Sequence, residues 1–394
     1  MKITHIHIER FRGFQNEDFE VGSLLTAIAG QNGTQKSTLL GIITQTFTLK
    51  TEDSMRVEKP LCGGSYISAF KDKFRLSPTF DKPKGHEWTI SFDAGMDDFT
   101  VESIKRTGDP NVRFWKKGAR QEGDGYISFP TIFLSLKRLV PVAEEAKIIT
   151  DDTLLTQEEL NELHNKILIA QTPISSATTI TSKNKQSIGV STELYDWNQN
   201  SMGQDNLGKI ILALFSFKRL HDKYPRQYKG GILAIDEMDA TMYPASQVEL
   251  LKVLRKYASK LNLQILFTTH SMSLLKAMDD LVQEVTKKEE TANQAKILYL
   301  KKVDDKIAIK QGVNFKGIQL DLNVVAEGNN RKKNRITAYT EDKENILFVK
   351  AILKSKAFVL DFVDVTLPCS TLMELVTKRV PAFIYPYSIV ILDG

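Results

Sequence analysis

Between Leu24 and Leu40 the chain reads LLTAIAGQNGTQKSTLL, an apolar run that empties into a glycine-bearing loop and then into Lys36-Ser37-Thr38. An apolar strand feeding a turn and then a helix gathers several backbone N–H groups at the helix start, which is where a polyphosphate can be held. The loop Gly30, Gln31, Asn32, Gly33, Thr34, Gln35 stands one residue away from the pattern G-x-x-x-x-G-K-[ST], because Gln35 occupies the second glycine position. In that pattern Lys36 reaches the β and γ phosphates, Ser37 ligates Mg²⁺ and Thr38 supports the first helical turn. The stretch therefore predicts an α/β fold with ATP and Mg²⁺ at a strand end.

The 394 residues are 42% apolar and 26% charged, enough to bury a large core and to form two or three domains. Lys and Arg exceed Asp and Glu by 53 to 48, a mild bias that permits nucleic-acid binding without demonstrating it. No apolar run approaches about 18 residues and the N-terminus opens on a strand pattern, so no membrane segment and a cytoplasmic location are expected. Cys62 and Cys369 are too few and too far apart for a disulfide framework or a zinc site. His5 and His7 would share one strand face, but no third ligand is evident.

Further along, Asn200-Ser201-Met202-Gly203-Gln204 precedes a helix with Leu207, Ile210, Ile211, Leu214 and Phe217 on its buried spacing. A serine, a glycine and free N–H groups at such a start suit an anion. Ile232–Ile235 is an apolar strand ending in Asp236-Glu237; the first carboxylate suits a Mg²⁺ water shell and the second suits polarising an attacking water. Leu263–Thr269 is a second core strand, ending in His270. The Val142–Ile169 stretch has a helical pattern, and residues 171–192, rich in Ser and Thr, read as a surface loop. The basic run Trp115–Arg120 reads as a solvated hairpin tip.

The order of these motifs, with Phe11-Arg12-Gly13-Phe14 some twenty residues before the loop, resembles the ABC-type ATPase heads of SMC-like, RecF-like and OLD-family proteins. That resemblance implies a P-loop head with an antiparallel β-layer over the nucleotide and a helical insertion, here 141–200 within 1–327. It implies that Arg12 lies beside the nucleotide. It also implies that Ser201, Gly203 and Gln204 contact the γ-phosphate held by the other subunit of a head-to-tail homodimer, and that His270 acts as a switch on the same phosphate. Glu237, His270 and Lys36 are then the catalytic set, with Ser37 and Asp236 on the metal. Tyr243-Pro244 stands where such heads carry His-Pro.

After a basic linker, 328–335, the segment 336–394 runs strand, Glu341, helix, strand, and ends in an apolar strand with Asp393. This resembles a partial Toprim-like α/β segment, in which Glu341 and Asp393 form a second candidate metal set that lacks its second aspartate. A final strand with no helix after it suggests that the domain continues beyond the sequence. The Ser-x-Gly-Gln-Asp-Asn and Asp-Glu-Met-Asp-Ala segments resemble those in ATPase subunits of Septu-like and retron-linked antiphage systems. That likeness implies a sensor and regulator whose cutting is done by an HNH-type partner nuclease, with a reverse transcriptase and its RNA–DNA in retron-linked members. An OLD-family nuclease with its own Toprim domain and a DNA-repair clamp remain as alternatives. Gln35 beside the phosphates predicts that ATP is bound but hydrolysed slowly.

Overall fold

The computed structural model describes residues 1–66, 70–77, 79–93, 95–105, 112–118, 125–139, 149–152, 157–169, 174–181, 186–194, 196, 200–327, 336–384 and 388–392. It forms two compact units, Met1–Gln319 and Leu320–Gly394.

The larger unit is built on a six-stranded sheet in the order Lys306–Lys310, Ala295–Val303, Leu25–Gly30, Leu263–Thr269, Gly231–Ile235, Thr131–Leu134. All neighbours are parallel except the outermost pair Ala295–Val303 and Lys306–Lys310. The three central strands are buried along their whole length, which is why they read as unbroken apolar runs rather than alternating ones. Their register sets Ala29 beside Thr269 and Phe267 beside Ile235, so the segments that follow emerge at one edge of the sheet. Ligands collect at that edge of parallel sheets because helix starts and loops converge there.

A second, antiparallel sheet runs Phe14–Glu20, Ile3–Phe11, Glu87–Phe92, Phe99–Lys105, Val112–Lys116. Its inward residues Ile6, Ile8, Phe11 and Trp88 share one buried cluster with Leu39, Leu40, Ile42 and Ile43 of the helix Lys36–Thr44 and with Ile28 and Leu266 of the parallel sheet. The helix that opens the phosphate-type loop is thus packed on more than one side, and its start is fixed by burial.

One expectation is corrected here. The insertion is not simply helix and loop: among the described residues it holds the helix Gln157–Leu168 and a three-stranded antiparallel sheet of Ile149–Asp152, Ser176–Thr181 and Gln186–Ser191. The Ser/Thr-rich stretch forms a hairpin because Ile188 and Val190 bury one face, Ile180, paired with Ser187, is buried on the other, and the threonines are β-branched. The hairpin lies against the long helix Met202–Lys223, where a Cβ on Gly208 would stand 2.9 Å from the Ile188 carbonyl oxygen. The helical pattern at 142–148 and the cap at Thr156 lie outside the described residues.

The smaller unit contains a parallel three-stranded sheet in the order Leu360–Phe362, Ile336–Thr340, Ser388–Ile391, with helices Lys343–Leu353 and Cys369–Thr377. Among the described residues no helix is long and apolar enough to cross a membrane.

Candidate functional site

The loop after Leu25–Gly30 has the backbone its sequence lacks a glycine for. Gln35, just ahead of the helix, sits at φ 62°, ψ 32°, the left-handed region that costs a residue with a Cβ roughly 1–2 kcal/mol. Its side chain turns away to the Phe11–Phe14 segment, where its Nε2 stands 2.9 Å from the point a Cβ on Gly13 would occupy. The amide therefore lies against Gly13 rather than simply beside the phosphate position, and its Oε1 is buried with no partner among the described residues. Gly30 is required by close approach, since a Cβ there would meet the Leu300 carbonyl oxygen at 2.5 Å and Thr34 Oγ1 at 2.8 Å. Gly33 at φ 79° turns the loop in open space, next to exposed Asn32. Thr34 Oγ1 donates to the Gln31 carbonyl at 2.8 Å and closes the turn.

Lys36 folds back over this loop, donating from Nζ to the carbonyls of Gly30 at 3.1 Å and Gln31 at 2.9 Å. Burial pulls its pKa down to about 8, opposed by the charges of Glu237, Asp236 and Asp239. Next to it, Ser37 Oγ donates to Asp236 Oδ1 at 2.9 Å, so the two predicted metal ligands, far apart in sequence, share a hydrogen bond. The same Asp236 oxygen accepts from Thr268 Oγ1 at 2.7 Å, and that hydroxyl accepts the Glu237 N–H at 2.6 Å. Glu237 itself lies at φ 49°. His270 follows the neighbouring strand, with its backbone N–H 3.4 Å from Asp239 Oδ1. Its pKa is lowered by burial and by the Lys36 charge, against the pull of Asp239, Glu237 and Asp236, which favours the neutral ring.

Ser201, Gly203 and Gln204 form a different part of the same edge. Ser201 caps the helix Met202–Lys223 in a capping box: its Oγ accepts from Gln204 N at 3.3 Å and its own N–H donates to Gln204 Oε1 at 2.8 Å. Gly203 abuts the loop after Glu237, since a Cβ there would stand 2.7 Å from the Thr241 carbonyl oxygen. Tyr243, in the His-Pro position, hydrogen-bonds from its hydroxyl to the Leu168 carbonyl.

Arg12 reaches Thr38 Oγ1 from Nη1 at 3.3 Å, beside the first turn of the helix. Two groups that sequence reading missed organise this region. The first is Asp81, which takes Arg12 Nε and Nη2, both at 3.0 Å, the Ser77 N–H at 2.7 Å and His86 Nε2 at 3.1 Å. Burial works against its charge, but the Arg12 hydrogen bonds, with those of Ser77 and His86, hold the carboxyl at about 2, below the ordinary 3.8. Because the folded value lies below the unfolded one, ionised Asp81 stabilises the fold above about pH 4, and that contribution disappears as pH falls through 3.8 toward 2. Asp81→Asn should therefore cost about 2 kcal/mol at neutral pH and close to nothing near pH 2, read by urea unfolding at both pH values. A gap that stays constant with pH would show that the ion pair is not the source.

The second missed group is Arg138, 3% exposed, after the strand Thr131–Leu134. Burial lowers its pKa to about 10, with Asp236, Glu237 and Asp239 favouring the charge. The signal available was that the apolar run Thr131–Leu136 ends in Lys137-Arg138, as the other core strands end in polar site residues.

In the smaller unit, Glu341 Oε1 accepts the Cys369 N–H at 3.3 Å at the start of the helix Cys369–Thr377, and Asp393 lies outside the described residues. No group of three or more His, Cys, Asp or Glu placed to hold a metal ion occurs among the described residues.

The family model described as AAA ATPase domain matches residues 134–275, a span that takes in Arg138, Ser201–Gln204, Asp236, Glu237 and His270. No curated protein matches the sequence. Among solved structures, the chain is similar to the SMC head domain from Thermotoga maritima at 14% identity and TM-score 0.44, covering 79% of this chain and 100% of that one. It is similar to an SmcHead bound to the C-winged helix domain of ScpA at 14% identity and TM-score 0.47, over 81% of this chain and 100% of that one. It is also similar to the recombination mediator RecF with ATP at 14% identity and TM-score 0.40, over 78% and 97%. Loop, strand order and family match together define an ATP-binding ATPase domain of the P-loop kind.

Proposed function

We propose that this chain binds Mg²⁺–ATP at Gly30–Thr38 and closes as a head-to-tail homodimer, each site completed by Ser201–Gln204 of the other copy, as a switch that restrains a partner nuclease in antiphage defence. The observation that carries the nucleotide part is the Ser37–Asp236 hydrogen bond, which brings a hydroxyl and a carboxylate of Mg²⁺-ligating chemistry to one point beside Lys36. The residues fit the ion: two hard oxygen ligands, Ser37 Oγ and Asp236 Oδ1, beside a lysine whose ammonium donates to neutral carbonyls that a phosphate can replace. Bound Mg²⁺ would neutralise charge developing on the β and γ phosphate oxygens.

The chain's own groups do the rest. Lys36 leaves the Gly30 and Gln31 carbonyls for the phosphates. Glu237 accepts the proton of the attacking water, and neutral His270 donates toward the γ-phosphate. Arg12, steadied by Asp81, lies over the helix start at Thr38. Closure on ATP and opening after hydrolysis would then bias the two states by contacts made only to the γ-phosphate. The defence role rests on the Ser-x-Gly-Gln-Asp-Asn and Asp-Glu-Met-Asp-Ala likeness. The regulator reading is favoured over a self-contained nuclease because Glu341 is engaged at the Cys369 helix start; the smaller unit is read as a Toprim-like segment with a structural role.

Sizing by light scattering tests the proposal: with ATP and Mg²⁺ the mass should double relative to ADP, and an unchanged mass would overturn the dimer.

A further inference from the structure

We propose that Arg138 and Asn206 form a brace that ties the loop carrying Glu237 to the helix carrying Ser201–Gln204, so that each chain's water-activating carboxylate moves with the element it lends to its partner's nucleotide. The inference rests on the head-to-tail reading above and adds the residues that link its two sites.

Arg138 follows the edge strand Thr131–Leu134 and projects into the space between those two segments. Its Nε donates to Asn206 Oδ1 at 2.7 Å, and its Nη2 donates to the Glu237 carbonyl at 2.8 Å. Its Nη1 donates to the carbonyls of Leu134 at 3.3 Å and Ser135 at 3.2 Å, which anchor the guanidinium to the sheet. Asn206, fully buried, uses its other end on the same loop: Nδ2 donates to the Ala240 carbonyl at 2.9 Å and to Thr241 Oγ1 at 3.4 Å. The planar fork reaches three segments at once, at Asn206, Glu237 and Leu134–Ser135, an arrangement that a lysine ammonium on a flexible stem does not reproduce.

The brace also explains the backbone. Glu237 at φ 49° and Thr241 at φ 67° are both left-handed without being glycine, and such conformations persist only where the surroundings over-determine them. The Glu237 carbonyl is held by Arg138, its N–H by Thr268, and the Ala240 carbonyl by Asn206. The Thr241 carbonyl presses on Gly203, two residues into the helix-start element. A displacement of Ser201–Gln204 is therefore transmitted to Glu237 through a buried hydrogen-bonded arginine rather than through a flexible loop.

The test compares wild type with Arg138→Lys and Asn206→Asp. The first keeps the positive charge and loses the fork; the second keeps the acceptor for Arg138 and loses the donor to Ala240. ATP affinity should stay within about threefold, because neither residue touches the P-loop, while kcat falls roughly 10- to 100-fold as Glu237 loses its placement. The Hill coefficient for ATP should drop from above 1 to about 1 in both variants as the two sites uncouple. If Arg138→Lys fails to fold, Asn206→Asp decides. A lowered Tm with kcat and Hill coefficient unchanged makes Arg138 and Asn206 ordinary core groups and overturns the inference. A wild-type chain that binds no ATP overturns the head-to-tail reading and the brace together; one that binds and hydrolyses ATP beside unaltered variants overturns the brace alone.

Discussion

Glu237→Gln should lower ATP turnover roughly 100- to 1000-fold while leaving ATP affinity within about threefold. The substitution is nearly isosteric, and the backbone of residue 237 is held independently of its side chain by Thr268 on one side and Arg138 on the other. What is lost is the ability to take a proton from water. Lys36, which would hold the phosphates, hydrogen-bonds to the Gly30 and Gln31 carbonyls, and Ser37 and Asp236, which would hold the ion, bond to each other and to Thr268, not to the Glu237 side chain. Single-turnover hydrolysis and equilibrium nucleotide binding, measured on the same preparation, separate the two effects. A variant that still turns over at the wild-type rate would remove Glu237 as the base and move attention to His270, whose neutral ring lies at the neighbouring strand end. A variant that loses ATP affinity in proportion would mean that the carboxylate holds nucleotide instead of activating water.

What the sequence makes legible are features that repeat locally. The loop between Gly30 and Thr38, the apolar strand ending in Asp236-Glu237 and the buried spacing from Leu207 to Phe217 each declare themselves within a few residues, and the structure places the two strands in one parallel sheet. The strand order that brings Asp236 to Ser37 is not local: the strand Leu263–Thr269, later in sequence than both neighbours, lies between them. Arg138 and Asp81 were invisible for the same reason. A buried charge looks like a surface charge until its acceptors, here Asn206 and the Glu237 carbonyl, or Arg12 and His86, arrive from elsewhere.

Composition misled once, at 171–192. Serine and threonine suggest a loop, but a hairpin needs few apolar residues, and Ile188 and Val190 on one face with Ile180 on the other supply them beside the helix Met202–Lys223. Gln35 was misread in a subtler way. The missing glycine suggests a side chain placed at the phosphates, whereas the structure keeps the glycine-like backbone and swings the side chain onto Gly13. Arg12, Gln35, Glu237 and Thr241 are all left-handed, four of the eleven such non-glycine residues among those described, and each lies in a segment that borders the site.

The second large effect follows from the composite site. In a head-to-tail pair the P-loop of one copy works with Ser201–Gln204 of the other, so Lys36→Ala and Ser201→Arg should each be inactive alone. The first removes the phosphate-binding ammonium; the second fills the helix start with a bulky cation and breaks the capping box. Mixed together, a dimer of one variant with the other places both lesions in a single site and leaves the other site with an intact Lys36 and an intact Ser201. Random pairing makes about half of the dimers mixed, each with one working site, so hydrolysis should recover to about a quarter of the wild-type rate. Measuring ATP hydrolysis in a titration of one inactive variant with the other therefore tests the head-to-tail switch most directly. Activity that rises from near zero and peaks at equal amounts is the predicted result, and a mixture as inactive as its two components, each still folded, would contradict it.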